Sequence, residues 1–389
     1  MNKKKRILFI LGTLDSGGVS KSLVNLFNVI DRQNYDVSLL LCSQQMGPYG
    51  KLLPHDIQII TDKRISSVFS LKGIPYLLKQ QLIGTAFGVV LRIVISLFSK
   101  AYAGYILSRL MPAIPGVYDL IVDYNGQHQT YYMVDKLQAK KKVAFFHSDY
   151  AMWPYYYRMD KRYYPKLDAI FTISPQCVAS LKQYFPDQSD KIRLMENISS
   201  LSLIEQMASE KVSFERKAKW MFLTVGHITR NKGTDLAIRA GKILQEQGVD
   251  FEWFFIGSTI ELPHFIPLLK ELGVQERFRF LGIQSNPYPY FKACDMVVHP
   301  SLFEGKSVTL DEAKLLCKPV VVTNFSTVRD QFENRINATI CEMTPEAIAD
   351  AIEELAMNED LRQQYISYLA SHKVDNTNEI NKIYHLLEV

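Results

Sequence analysis

The residues best suited to chemistry lie in one stretch, Pro300-Ser301-Leu302-Phe303-Glu304-Gly305-Lys306-Ser307-Val308, with Glu312 eight residues beyond Glu304. The apolar run at 296–299 reads as a strand, Gly305 as a turn and 307–316 as a helix. Helical rise then separates the two carboxylates by up to ~12 Å along the axis. The N–H groups of Gly305, Lys306, Ser307 and Val308 would be open at the helix start, where the dipole favours an anion. One carboxylate could reach sugar hydroxyls, the N–H groups could hold phosphate, and the second carboxylate could reach ribose hydroxyls. That pattern suits a nucleotide sugar laid against the helix start. It is not a glycosidase pair, because both carboxylates sit around one donor rather than flanking a glycosidic bond.

Two turns add glycines and cations. Gly226-His227-Ile228-Thr229-Arg230-Asn231-Lys232-Gly233 follows a strand at 220–225 and opens a helix near 234. Arg230 and Lys232 at a helix start make a natural anion site. Near the N-terminus, Gly17 and Gly18 end a turn between a strand at 6–11 and a helix at 20–30. This is no P-loop, since Gly18 stands where a Lys would have to follow Gly17. A dinucleotide fingerprint fails too. A Gly–Gly turn still lets backbone N–H groups approach phosphate or sugar closely. His147 ends a strand at 142–146.

The elements that must position these residues alternate in both halves. Strand-like runs fall at 6–11, 35–41, 120–123, 142–146, 169–173 and 192–195, then at 220–225, 251–256, 278–281, 296–299 and 320–322. Helical spacing lies between them. The expected class is α/β, with two doubly wound Rossmann-like domains facing across a cleft. Residues 1–200 form the first, 201–217 a linker and 218–372 the second. A C-terminal helix at 373–389 is expected to pack back on the first domain.

Composition agrees with a folded chain of 389 residues, 47% hydrophobic and 22% charged. Disorder, collagen, coiled coil and a multi-span membrane protein fit poorly. The five Cys are scattered and include no CxxC, which argues against a disulfide framework or structural zinc and for a reducing compartment. The basic N-terminus and its apolar run imitate a signal peptide, but the run is short and ends in the Gly turn, so it reads as a buried strand. Asp-x-Asp is missing and His and carboxylates show no ligand spacing, so no metal is expected.

Net charge is +5, unevenly spread. Residues 63–118 hold seven Lys or Arg and no acid, leaving 5 − 7 = −2 for the rest. Within this segment 82–98 is 17 residues with one charge. Spanning a bilayer takes about 20 apolar residues, and a central Arg costs roughly 2.5–3.5 kcal/mol. Thr85, Gly88, Arg92, Ser96, Ser99 and Lys100 form a small and polar stripe opposite Phe87, Leu91, Ile93, Val94, Ile95 and Phe98. This predicts a helix lying at an anionic membrane surface. The plainer alternative is a core helix with solvated basic neighbours. A second aromatic and basic patch, 150–164, reads as interfacial, sugar-binding or core-edge. Nucleic acid is not expected, because the alkyl content exceeds what phosphate contacts need.

In order and spacing, Gly17-Gly18, Gly226 with Lys232-Gly233, Ala293-Cys294-Asp295, Pro300-Ser301, Glu304-Gly305, Glu312-Ala313 and Lys318-Pro319 resemble a retaining glycosyltransferase of family 4, with the GT-B fold. The sub-pattern from Glu304 to Lys314 is similar to bacterial enzymes that build capsule, exopolysaccharide or lipopolysaccharide. The resemblance implies that Glu304 contacts the donor hexose and Glu312 the ribose, while Lys232 neutralises the departing diphosphate. Gly17 and Gly18 would let the first domain close over the donor, and His147 would stand near the reacting sugar. The family usually has Arg directly after Gly226; here it is His227, with Arg230 inside the turn. The family is metal-independent, and no cofactor is expected beyond the donor. The acceptor would be a lipid-linked or oligosaccharide glycan, with the enzyme cytoplasmic and peripheral at the inner membrane face. A nucleotide-sugar epimerase and an inactive membrane-bound adaptor on the same fold remain open alternatives.

Overall fold

The computed structural model describes residues 4–15, 17–43, 46–212, 214–373 and 375–388. These residues divide into two compact units, one comprising 4–15, 19–197 and 378–388, the other 17–18 and 198–377.

The first unit is built on a seven-stranded parallel sheet: β1 (Lys5–Leu11), β2 (Tyr35–Leu41), β3 (Gln58–Ile60), β4 (Val117–Asp123), β5 (Gln138–Phe146), β6 (Ala169–Thr172) and β7 (Ile192–Leu194). Their order is β3-β2-β1-β4-β5-β6-β7. Ile7, Leu8, Phe9, Ile10 and Leu11 are all buried, as a strand covered on both faces must be, and this continuous burial gives the apolar runs their shape in the sequence. The short edge strand β3 carries no such run, because its residues are exposed or half-buried. β5 starts four residues before its apolar part, where Gln138 pairs with Val117 at a solvated end.

The second unit repeats the plan with six parallel strands: β8 (Trp220–Val225), β9 (Phe251–Ile256), β10 (Phe278–Phe280), β11 (Met296–His299), β12 (Val320–Thr323) and β13 (Thr339–Cys341). Their order is β10-β9-β8-β11-β12-β13. One apolar cluster around Trp253, Ile238 and Ile352 and another around Leu223, Phe254 and Leu310 make its core. Strand order reverses between β1 and β4 in the first sheet and between β8 and β11 in the second. Ligands of such sheets bind outside the carboxyl ends at that point.

Three expectations need correction. The segment 201–217 is not a plain linker: Leu201–Ala208 is a helix capped by the Ser200 hydroxyl, and Ile204 and Ala208 join the second core. Its polarity misled because only one face of so short a helix is buried. The chain passes between units at 197–198 instead. At the other end, the Asn381–Glu388 helix groups with the first unit, where Tyr384 stacks on Tyr35 at 4.7 Å and its hydroxyl accepts from the Asp31 amide at 2.7 Å.

The second correction concerns 150–164. Tyr150, Tyr163 and Tyr164 are buried, and the Tyr131 and Tyr150 hydroxyls each donate to the buried Asp160 carboxyl at 2.6 Å. The patch is therefore core-edge rather than an interfacial surface throughout: its inner tyrosines are buried, while Met152, Tyr155 and Arg158 are exposed. The third concerns the Ile83–Ser96 helix. Ala86, Gly88 and Val89 are buried, and Arg92 also turns inward, donating to the Phe69 carbonyl at 2.9 Å. A Cβ on Gly88 would stand 2.5 Å from the Leu110 side chain, so the small residue sets how close the helix lies. Ile83, Phe87, Leu91, Val94 and Phe98 face outward, Phe87 at 68% and Phe98 at 85% exposure. Ile93 and Ile95, expected on that outer face, are half-buried. Among the described residues no helix is long and apolar enough to cross a membrane.

Candidate active site

β8 and β11 end side by side in the second unit, and the loops leaving them carry the residues singled out from sequence. After β8, Gly226 donates to Ile256 O, and a Cβ on the neighbouring Gly257 would stand 1.9 Å from the Gly226 carbonyl. The turn Arg230–Lys232 follows, capped by Thr229, and Gly233 closes it with φ 68°. A Cβ on Gly233 would fall 1.8 Å from the Pro300 carbonyl. Leu302 N also donates to Asn231 O at 2.9 Å. The two motif loops are thus stitched together, and glycine is required where they touch.

That contact fixes Lys232 against Glu304. Lys232 Nζ donates to Glu304 Oε1 at 2.6 Å, and His299 Nε2 lies 2.8 Å from the same oxygen. Burial would push the Glu304 carboxyl up, but the Lys232 charge and the His299 contact outweigh it and hold it at about 2. Glu304 is therefore a carboxylate at any physiological pH, fixed at the end of β11. His299 is the member that sequence reasoning missed: it closes a buried apolar strand and reads there as one more strand residue.

The helix Val308–Leu315 starts just beyond. The Ser307 hydroxyl caps it by accepting from Leu310 N. Its own amide is taken, since Ser307 N donates to Gln331 Oε1 at 2.9 Å while Gln331 Nε2 donates back to Ser307 O. The amide of Ser307 is therefore not open to a phosphate as expected. Gln331 comes from a loop 24 residues later, a contact no local pattern reveals. The Lys306 ammonium lies 3.7 Å from the Asp311 carboxylate. Gly305 and Val308 flank this start, and Thr327 Oγ1 donates to the Glu304 carbonyl at 3.0 Å. Glu312 is fully buried and accepts from the Tyr288 hydroxyl at 2.9 Å.

The remaining candidates divide. His227 is partly buried, and burial with the Lys232 charge pushes its pKa down, so it is neutral above ordinary histidine titration. Arg230 does not join it: the side chain is 83% exposed and lies 3.8 Å from Asp235. Gly17 and Gly18 group with the second unit. A Cβ on Gly17, whose φ is 103°, would stand 3.5 Å from His227 Nε2, and one on Gly18 would stand 3.6 Å from Val308. His147 belongs to the first unit, at the carboxyl end of β5, where its ring stacks on Phe145 and tilts against Tyr124. Burial pushes its pKa down to about 4, so it is a neutral imidazole at pH 7. Among the described residues no group of three or more His, Cys, Asp or Glu has the geometry of a metal site.

Residues 205–372 match the family model described as Glycosyl transferases group 1. The HepE protein of Anabaena, solved in complex with UDP-glucose, superposes with a TM-score of 0.71 at 15% identity, covering 99% of each chain. The fold is GT-B. The chain resembles glycosyltransferases that build bacterial surface polysaccharides. Residues align at 28% identity over 204 positions with the N-acetylgalactosamine-N,N'-diacetylbacillosaminyl-diphospho-undecaprenol 4-alpha-N-acetylgalactosaminyltransferase of Campylobacter jejuni, covering 52% of this chain and 54% of that protein. The capsular polysaccharide biosynthesis glycosyltransferase CapM of Staphylococcus aureus is 29% identical over 155 residues, 39% of this chain and 40% of CapM. The chain spans about half the length of the curated relatives it matches.

Proposed function

We propose that this protein transfers a hexose from a nucleotide diphosphate sugar to a lipid-linked glycan during cell-surface polysaccharide synthesis, with retention at the anomeric carbon. The observation that carries the reading is the Lys232–Glu304–His299 cluster at the end of β11, inside the segment that matches Glycosyl transferases group 1. Glu304 is the catalytic carboxylate that meets the hexose hydroxyls and the positive charge growing at the anomeric carbon. The bond from that carbon to the diphosphate breaks with its electron pair on the phosphate oxygen. Lys232 and the helix start at Val308 stabilise that charge, the part a metal ion plays elsewhere. Glu312, oriented by Tyr288, takes the ribose. His147 stands at the acceptor side as a neutral hydrogen-bonding group.

The acceptor is presented at the inner membrane face. The outward apolar row Ile83, Phe87, Leu91, Val94 and Phe98, on a segment of seven cations and no acids, supports this. The Campylobacter relative is named for a diphospho-undecaprenol acceptor, which favours a lipid-borne one here.

The test is release of nucleotide from UDP-glucose, UDP-galactose, UDP-N-acetylglucosamine and GDP-mannose, with membrane extract and EDTA present. Turnover of one donor names the sugar and shows that no metal is needed. Absence of any UDP or GDP binding would overturn the reading in favour of an inactive adaptor.

A further inference from the structure

The first unit holds a cavity of about 600 Å³ that the proposed donor chemistry does not use. It opens at the carboxyl ends of β1, β2 and β4, beside Gly12, Ser43 and Asn125. This is the switch point of the first sheet, where a doubly wound sheet takes its ligand. The front wall comes from the basic segment: Lys63 and Lys72, with the hydroxyls of Ser66, Ser67 and Ser70. Asn125, Gln129 and His128 form the back.

The charge of this cavity is one-sided. Among the described residues no Asp or Glu lines it. Asp62, next to Lys63, is engaged elsewhere: its carboxylate accepts from the Arg64 amide at 2.7 Å and from the Arg64 guanidinium at 2.7 Å. Asp123, at the end of β4, is fully buried and accepts from the Asn125 and Gly126 amides and the Thr130 hydroxyl. Lys63 lies over the Tyr76 ring at 4.7 Å, and no acid is within ion-pair distance of it or Lys72 among the described residues.

Arg92, turned in from the outward-apolar helix, reaches the cavity's neighbourhood through Phe69, which lines it. Its guanidinium holds the Phe69 carbonyl, and the Phe69 ring packs edge-on against His128 at 5.6 Å. His128 Nε2 and Arg92 Nε are both buried, and among the described residues neither has a hydrogen-bond partner. Buried polar groups are nearly always paired, and His128 Nε2 is an unpaired one on a residue that lines a cavity with two lysines. Burial and the Arg92 charge push His128 down to about 4, so it is neutral at pH 7 and one ring N–H can still donate. A neutral sugar would leave these cations uncompensated, whereas a tetrahedral oxyanion meets ammonium, hydroxyl and imidazole together.

We infer that this cavity is a second anion site, built to hold a phosphate or diphosphate group in the first unit. Under the function proposed above, on which this assignment of the bearer rests, that group belongs to the acceptor. The acceptor is then an anionic molecule, and its charge is read on the same basic segment that carries the outward-apolar helix.

The test is calorimetric titration of inorganic pyrophosphate into full-length protein already saturated with UDP, so that the anion site of the second unit is filled. The expected result is saturable binding that Lys63→Ala/Lys72→Ala weakens by about tenfold or more. His128→Gln should weaken it as well. The control Lys79→Ala/Lys182→Ala, exposed lysines outside the cavity, should leave it within about twofold. Absence of binding at millimolar pyrophosphate, or equal losses in the cavity and control variants, would overturn the site. Geranyl diphosphate in place of pyrophosphate separates the sources: a gain in affinity identifies a lipid-borne diphosphate, and equal affinity a soluble or sugar-borne one. Protein that binds pyrophosphate in the cavity but not UDP would refute glycosyl transfer and keep this site; the reverse would refute this site alone.

Discussion

Lys232 Nζ and Glu304 Oε1 meet at 2.6 Å although 72 residues separate them in the chain. Their contact depends on two loops leaving neighbouring parallel strands, and on a glycine between them that leaves room for the Pro300 carbonyl. The pair places a permanent negative charge and the cation that balances it in one partly buried pocket.

Glu304→Gln keeps the shape and removes the charge. Transfer should fall by about 10²–10³-fold. UDP affinity should stay within about threefold, because the proposed nucleotide contacts lie elsewhere along the helix start. Equal losses in turnover and in UDP binding, measured by calorimetry, would remove Glu304 from the sugar end.

The same pair makes stability depend on pH with a defined sign. Glu304 is held at about 2 in the folded protein against an ordinary 4.5. Between those values the unfolded chain binds the proton and the folded chain does not. The contribution is therefore complete above about pH 4.5 and is lost as pH falls toward 2. Denaturant unfolding of wild type and Glu304→Gln should differ by on the order of 3 kcal/mol near pH 6 and converge near pH 2.5. Curves that stay parallel through this window would contradict the assignment.

Phe87, Leu91 and Phe98 lie on the outward face of the Ile83–Ser96 helix and its continuation, at 68%, 41% and 85% exposure. Replacing all three with Ser should abolish co-sedimentation with anionic liposomes. Thermal stability should barely move, since exposed side chains contribute little to the fold. A large drop in melting temperature with liposome binding unchanged would make the face part of the folded core.

Gly233→Ala tests the stitch between the loops. The φ of 68° costs about 1–2 kcal/mol for a residue with a Cβ, and the clash with Pro300 adds to it. Gly248→Ala is the matched control, with φ 78° and open space around the added Cβ. Gly233→Ala should lower the melting temperature more than Gly248→Ala and weaken UDP binding, while the control retains it. Equal behaviour of the two variants in calorimetry would mean that the loop contact does not position Lys232.

Strand placement was legible in the sequence wherever both faces of a strand are covered. Ile7–Leu11 is apolar end to end, and Phe251–Ile256 and Met296–His299 are apolar but for Glu252 and His299, with every residue buried. β3 and β13 went unread; β3 has no fully buried residue and β13 only Thr339, a polar one. The helix at Leu201–Ala208 escaped because eight residues bury only one narrow face.

In the site, local chemistry was readable and distant pairing was not. Residue type and spacing along two loops and a helix start pointed to Glu304, Lys232 and Glu312, since in each case a strand, a turn and a helix fix the order. The chain by itself also determined that residues 63–118 carry cations without acids. Tertiary structure alone decided that His299 shares the Glu304 oxygen, that Gln331 occupies the Ser307 amide, and that Arg230 points outward. It also decided which way the basic helix turns, with Arg92 toward His128 and Phe87 outward. Periodicity fixes which residues share a face of a helix; only packing against the rest of the chain decides which face is buried.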